Sequence, residues 1–449
     1  MTSLSATTPL SARQRLLAIG LVLAVSLVAF EVTALFTALP TIADELDGDS
    51  LYGVSLAVYT LANMVSLVAA GELADKRGPA LPFMIAVAVF IAGLLVAAAA
   101  PTMLWIVVGR VLQGAGTGAF NPISYSLVRR AFPTDRQPMM YAFLSAGWVL
   151  PSLVAPLIAG WITDQFGWRW VFLGIVPPAL AVAVLAVRPM FEHRPVAQPP
   201  EPSRVPLAIA AAVGVGALVT ALQFDRWPVA VLTSAAGIAL AAPALRRLLP
   251  RGYATIVPGF AAVLVARTCA TSSFGGVDGF IPLAADRIHS ATPVTQGFVI
   301  IGAAVTWTIG QWIRARAPHR PPARSVAEGF VCMAAGAILS TPVLLGTWPL
   351  WATFISWSLG GLGMGLLFNP TTVTAMGYAT AGAEGRVSSQ LALADSVGWS
   401  LMAGLGGAAV AAADRGSISV APAIGSSFAV AIAAAIAGIA VSRRIRPAA

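Results

Sequence analysis

The sequence predicts an all-α protein that crosses a membrane many times, and two observations carry that prediction. Hydrophobic residues fill 58% of the 449 positions and charged residues only 10%, whereas a soluble domain is charged at about 25% of its positions. Apolar stretches of about 20 residues, enough for a helix to cross a hydrocarbon core of roughly 30 Å, recur from residue 16 almost to the C-terminus. The first stretch is too long for the apolar part of a signal peptide and no small-residue cleavage site follows it, so it is expected to remain as a spanning helix.

Apolar runs separated by loop punctuation place six helices at 16–43, 51–74, 80–100, 102–128, 138–160 and 168–188. A linker rich in proline and charge covers 189–204. Two shorter runs, 205–224 and 228–245, flank the turn Asp225-Arg226-Trp227-Pro228, with basic residues before and after the pair. That pattern is an inserted hairpin crossing out and back. Six further runs follow at 256–283, 293–313, 325–346, 349–374, 386–412 and 418–441. The expected architecture is therefore an N-terminal six-helix bundle (16–188), a linker, a transmembrane hairpin (205–245) and a C-terminal six-helix bundle (256–441), fourteen helices in all.

A net charge of +9 in a soluble protein would raise nucleic acid as a partner. Here the basic residues sort by side. With the N-terminus inside, only Arg169, Arg226, Arg287 and Arg415 fall outside, which is the excess of positive charge expected of cytoplasmic loops. The sorting predicts an inner cell membrane protein with both termini cytoplasmic and makes a nucleic-acid role unnecessary; twelve helices would satisfy the charges equally well. Cys269 and Cys332 both lie in apolar runs and are expected to be packing residues, with no disulfide and no metal.

The two bundles show internal similarity in a single orientation, as transporters built from repeats do. Pro40-Thr41-Ile42-Ala43-Asp44 matches Pro282-Leu283-Ala284-Ala285-Asp286. The glycines Gly114, Gly116 and Gly118 before Asn121-Pro122 match Gly361, Gly363 and Gly365 before Asn369-Pro370, and Ser145, Gly147 and Trp148 match Ser396, Gly398 and Trp399. The offsets, 282 − 40 = 242, 361 − 114 = 247 and 399 − 148 = 251, rise steadily along the chain.

Charged residues inside apolar runs are the candidates for chemistry. An ionised carboxylate at mid-bilayer costs at least about 2.5–3.5 kcal/mol, so Glu31 must be paired, hydrated or protonated; it is either a proton-coupling acid or half of a structural ion pair. At about 1.5 Å of rise per residue, Glu31 lies roughly 22 Å above the inner end of its helix and Arg110 roughly 12 Å below the outer end of its own, so the two fall at similar depth. Arg267 and Asp395 lie at matching depth in the second bundle and could pair across helices. Asp278 is either a second titrating site or a hydrated residue at the outer mouth. Gly114, Gly116 and Gly118 allow close helix packing. Trp105, Trp161, Trp168, Trp170, Trp227, Trp348 and Trp351 fall near the outer interface as aromatic anchors. Trp148, Trp307 and Trp399 lie deeper, where they either line a substrate cavity or pack helices, and Asn121 and Asn369 join them as cavity candidates. Lys76, the only lysine, is followed by Arg77 rather than Ser or Thr, which excludes a phosphate-binding loop of the nucleotide-hydrolysing kind.

Four stretches resemble the major facilitator superfamily, and within it the fourteen-helix branch of drug:proton antiporters. Glu31-Val-Thr-Ala-Leu-Phe-Thr-Ala-Leu-Pro40 is similar to the branch's first-helix motif, with Glu for the usual Asp. Gly71-Glu-Leu-Ala-Asp75-Lys-Arg-Gly78 is similar to the superfamily's loop motif, with its basic tail replaced by Pro79-Ala80-Leu81. Arg110-Val-Leu-Gln113-Gly114-Ala-Gly116 resembles the fourth-helix motif, and Phe166-Gly-Trp168-Arg169-Trp170-Val-Phe172 the start of the sixth. The fifth-helix antiporter motif matches in part, with Ala155 and Ala159 where the branch has glycine.

The resemblance implies the major facilitator fold and export of lipophilic small molecules or drugs. It implies no cofactor, the proton gradient supplying the energy, and protons and membrane lipids as partners of a monomer. It assigns proton transfer to Arg110 and makes Asp75 a gate latch, held in the turn between Gly71 and Gly78 and within reach of Arg129 or Arg130 or of the start of the thirteenth helix. Export of an endogenous lipid or metabolite, or a non-transporting receptor or scaffold on the same fold, are the alternatives. An enzyme is disfavoured, because the three histidines all lie near loops.

Overall fold

The computed structural model describes residues 10–193, 202–221, 227–317, 320–414, 416 and 418–447. The regular elements among them are helical. In chain order they are α1 (Ala12–Glu45), α2 (Asp49–Arg77), α3 (Ala80–Ala98), α4 (Met103–Thr117), α5 (Phe120–Ala131), α6 (Gln137–Ala146), α7 (Val149–Phe166), α8 (Arg169–Met190), α9 (Val205–Ala221), α10 (Trp227–Leu248), α11 (Phe260–Asp278), α12 (Ile281–Arg287), α13 (Pro293–Ala315), α14 (Pro322–Ser340), α15 (Leu350–Gly377), α16 (Glu384–Asp414) and α17 (Val420–Ser442), with a 3-10 turn at Thr341–Leu344.

Among the described residues, eleven stretches are long and apolar enough to cross a membrane, and the protein is a multi-pass membrane protein. They are α1, α2, α3, α4 with α5, α8, α10, α11 with α12, α13, α14 with its 3-10 turn, α15 and α17. The expected count of fourteen is not reached. The expected helix at 138–160 breaks at Gly147-Trp148 into the 10 residues of α6 and the 18 of α7. The first arm of the expected hairpin is α9, whose apolar part Val205–Leu218 is short for a span. The expected helix at 386–412 is α16, 31 residues long, with Glu384, Arg386 and Asp395 in its first half. The turn 222–226 and residues 194–201 of the linker lie outside the described residues, and so do Arg226 and Arg415.

Helix ends follow local chemistry. Ser11 and Gln14 form a reciprocal capping box at the start of α1, each satisfying a donor the first turn would leave open. Helix α2 stops at Gly78, whose φ of 82° few other residues adopt, and Lys76 and Arg77 occupy its last turn, where cations suit the helix dipole.

The helices form two compact units: the described residues up to 212 together with 379–389, and 213–378 together with 390 onward. Within each unit the glycine run sets how closely the helices approach. A Cβ at Gly114 or Gly118 would collide with the α2 backbone at Tyr59 or Asn63, and one at Gly116 would meet Ala86 and Phe90 of α3. In the second unit a Cβ at Gly361 or Gly365 would strike the α13 backbone at Ala303 or Trp307, and one at Gly363 the α14 carbonyl of Gly329. The matched glycines thus do matched work, α13 standing where α2 stands and α14 where α3 stands. Small residues replace the hydrophobic drive that lipid-embedded helices lack. Outward faces carry the large apolar side chains, such as Leu157, Val184 and Leu232, which lipid solvates well.

Of the expected aromatic anchors, Trp105, Trp161, Trp170 and Trp351 are exposed, but Trp168 is buried at 1%. Its indole N–H donates to Glu45 at 2.9 Å, because the turn after Gly167 folds it under Arg169, whose guanidinium stacks 4.2 Å from the ring centroid. The hydrogen bond from Arg169 holds the Glu45 carboxyl below the ordinary carboxylate value, assisted by the one from Trp168. Replacing Gly363 by Val should cost about 1–3 kcal/mol of overpacking, read as a lower thermal midpoint of the purified protein; an unchanged midpoint would contradict the packing role.

Candidate functional site

The first unit buries an acid and a base against each other. Glu31 on α1 is 1% exposed and Arg110 on α4 is 2% exposed. The Arg110 Nη1 donates to Glu31 Oε1, and to Gln113 Oε1 at 2.8 Å, one helical turn on. The guanidinium carbon of Arg110 lies over the ring of Tyr59, from α2, 4.0 Å from its centroid. Thr117 donates to the Tyr59 hydroxyl at 2.9 Å and receives a hydrogen bond from Asn63 at 3.2 Å. The close approach that Gly114 and Gly118 permit is what brings these α2 side chains to α4. Among the described residues, three buried polar atoms in the nest have no hydrogen-bond partner: Glu31 Oε2, Arg110 Nε and Gln113 Nε2. Burying such groups unsatisfied is costly, so the nest has hydrogen-bonding capacity to spare for a proton, water or solute.

The second buried pair is saturated. Arg267 on α11, fully buried, grips Asp395 on α16 with both arms, Nε to Oδ1 at 2.8 Å and Nη2 to Oδ2. Its Nη1 donates to Thr372 at 2.8 Å and to the Phe368 carbonyl at 3.2 Å, and the Phe368 ring lies 3.4 Å from the guanidinium carbon. This arrangement compensates both charges and leaves the guanidinium little to give. Asp278, the last residue of α11, does not join it: its Oδ1 accepts the indole N–H of Trp357 at 2.8 Å.

At the end of α2, Asp75 accepts the backbone N–H groups of Gly385 and Arg386, each at 2.8 Å, and Arg130 Nη2 at 3.0 Å. The carboxylate therefore caps the first turn of α16, where unpaired amides and the helix dipole favour an anion. Arg130 bridges on to Glu384 at 2.8 Å. Gly71 and Gly385 face each other so closely that a Cβ on either would overlap the other's carbonyl, and Ser389 donates to the Leu67 carbonyl at 2.7 Å. Arg129 is not part of the cluster, since neighbouring residues on a helix project about 100° apart and only Arg130 points at α2.

The expected cavity tryptophans separate. Trp307 and Trp399 both contact Phe274, at 5.1 and 6.2 Å between ring centroids, whereas Trp148 lies exposed at the start of α7 in the first unit. Asn121 is half-buried near the start of α5, and Asn369 is buried within the unbroken α15. Sequence reasoning missed Tyr59, Thr117 and Glu384, which carry no motif signal of their own. It also missed Trp357, which the offset of 247 already placed opposite Arg110.

The apolar helices thus hold two acid–guanidinium pairs, one saturated and one beside unsatisfied polar atoms. Residues 21–403 match the Major Facilitator Superfamily, and the chain belongs to that family of transporters. It is 27% identical over 435 residues to a protein named probable multidrug-efflux transporter of Mycobacterium tuberculosis, covering 89% of this chain and 88% of the relative. It is 27% identical over 375 residues to the multidrug transporter protein MdtP of Bacillus subtilis, covering 79% and 68%. Among solved structures it is similar to the human organic anion transporter MFSD10, with TM-score 0.69, 13% identity and 96% and 100% of the two chains covered. It is also similar to the proton:xylose symporter XylE, with TM-score 0.65, 14% identity and 95% and 94% covered.

The Asp75 cluster yields a prediction for stability. Arg130→Ala strips the cation from two nearly buried carboxylates and should cost about 3–5 kcal/mol, while Arg129→Ala should cost less than about 1 kcal/mol. Thermal unfolding of the two purified variants checks this; equal losses would remove Arg130 from its place.

Proposed function

We propose that this protein is a proton-coupled antiporter that exports lipophilic small molecules by alternating access. The observation that carries the reading is the buried Glu31–Arg110 pair with open polar atoms around it. Arginine stays cationic under all physiological conditions, so the charge of the nest is decided by Glu31. Ionised, Glu31 is bound to Arg110 and the nest is neutral; protonated, it frees the guanidinium to Gln113 and the Tyr59 face and leaves a net positive charge. Substrate and proton would then bias the same inward–outward equilibrium, which is the condition for coupling.

Asp75, with Arg130 and Glu384, acts in this reading as the latch of the inner gate, since it holds the first turn of α16, a helix whose later residues belong to the second unit. Basic residues concentrated at one side support cytoplasmic termini and an inner-membrane location. The length of α16 and the helical character of α7 and α9 support fourteen crossings, with the α9–α10 pair as the inserted hairpin, closely packed where Gly214 meets Gly237. The names of the relatives support drugs as cargo.

Purified protein in liposomes tests the coupling. An imposed pH gradient should drive a lipophilic drug against its own concentration gradient, and Glu31→Gln should abolish that accumulation. Equal responses of wild type and Glu31→Gln with every drug would remove Glu31 from the coupling.

A further inference from the structure

The acid and donor of the first unit have a counterpart in the second that carries no positive charge. In both units the donor lies 79 residues after the acid, Arg110 after Glu31 and Trp357 after Asp278. Each donor stands one helical turn before the first glycine of its run, Gly114 or Gly361. The equivalent position thus holds a guanidinium in one unit and a neutral indole in the other. The indole N–H orients Asp278 through Oδ1 at 2.8 Å but cannot compensate its charge. Among the described residues no cationic side chain pairs with Asp278, Arg267 being committed to Asp395.

The surroundings of Asp278 are aromatic. Phe274 lies one turn earlier on the same face of α11, and its ring is 5.1 Å from Trp307, 5.2 Å from Trp357 and 6.2 Å from Trp399 between centroids. Phe274 and Trp357 are buried, Asp278 and Trp307 half-buried, and Trp399 is 41% exposed, so the cluster runs from the interior to the surface of its unit. The Trp307 indole nitrogen is buried with no acceptor among the described residues. A carboxyl in apolar surroundings must be paired, hydrated or protonated, and the ring faces here favour pairing with a cation. Arginine at this position would have supplied that counterion internally and repelled a positive solute; tryptophan does neither.

We propose that Asp278, oriented by Trp357 and walled by Phe274, Trp307 and Trp399, is a binding subsite for an organic cation. Asp278 is the charged contact and Trp357 a positioning residue. The proposal deepens the transport reading by giving a class of cargo, and rests on it only for what happens to the cation after binding.

Equilibrium binding to the full-length protein in nanodiscs tests it without transport, using tetraphenylphosphonium and its isosteric anion tetraphenylborate. Wild type should bind the cation in preference to the anion, and Asp278→Asn should lose at least about tenfold in cation affinity, as expected for losing one desolvated charge contact, with no loss for the anion. Trp357→Phe keeps a ring and removes the N–H, and should weaken cation binding by a smaller factor that Asp278→Asn does not compound. Should Asp278→Asn fail to fold, Trp307→Leu takes its place and should also weaken the cation selectively. Cation binding at wild-type affinity in folded Asp278→Asn, or, where that variant does not fold, in Trp307→Leu, overturns the proposal, as does equal binding of the anion by wild type. Gradient-driven export of a neutral drug by wild type, lost in Glu31→Gln, separates failure of this subsite from failure of the antiport reading.

Discussion

A charge carried into a bilayer must find its partner inside the protein, because nothing outside will solvate it. That constraint organises the buried polar residues described here. Arg267 and Asp395 meet it completely, with the guanidinium held by a carboxylate, a carbonyl, a threonine and a ring. Glu31 and Arg110 meet it in net charge but leave polar atoms open. Among the described residues Asp278 has only an indole. The series runs from saturated to unsaturated: a saturated pair has no reason to change state, while an unsaturated one has hydrogen-bonding capacity left over.

Close backbone approach makes these contacts possible. Tyr59 reaches the Arg110 guanidinium because α2 and α4 touch at Gly114 and Gly118. In the second unit α13 and α15 touch at Gly361 and Gly365, which brings Trp307 beside Phe274. One packing device, used twice, therefore positions two chemically different sites. The repeat preserves backbone geometry and varies the side chain at the donor position, and that substitution is what distinguishes the two units.

Much of this was legible in the sequence, because depth along a helix follows from residue count. Rise per residue alone placed Glu31 level with Arg110 and Arg267 level with Asp395, and both pairs are formed in the structure. Azimuth was harder: Arg129 and Arg130 are indistinguishable by depth and differ only in the face they present. The glycine breaks that divide α4 from α5 and α6 from α7 were hidden by uninterrupted hydropathy. Trp168 reads as an interfacial aromatic until a turn buries it on Glu45. Tyr59 and Thr117 acquire meaning only when α2 meets α4, a tertiary fact with no local signature.

The central claim is that Glu31 exchanges a proton as cargo binds, and proton release reports on it most directly. Adding a lipophilic drug to the purified protein, in weakly buffered detergent solution with a pH-indicator dye and at a pH low enough that Glu31 starts protonated, should acidify the medium for wild type and leave it unchanged for Glu31→Gln under the same drug occupancy. Drug binding by wild type without acidification, or equal acidification by Glu31→Gln, would contradict the account.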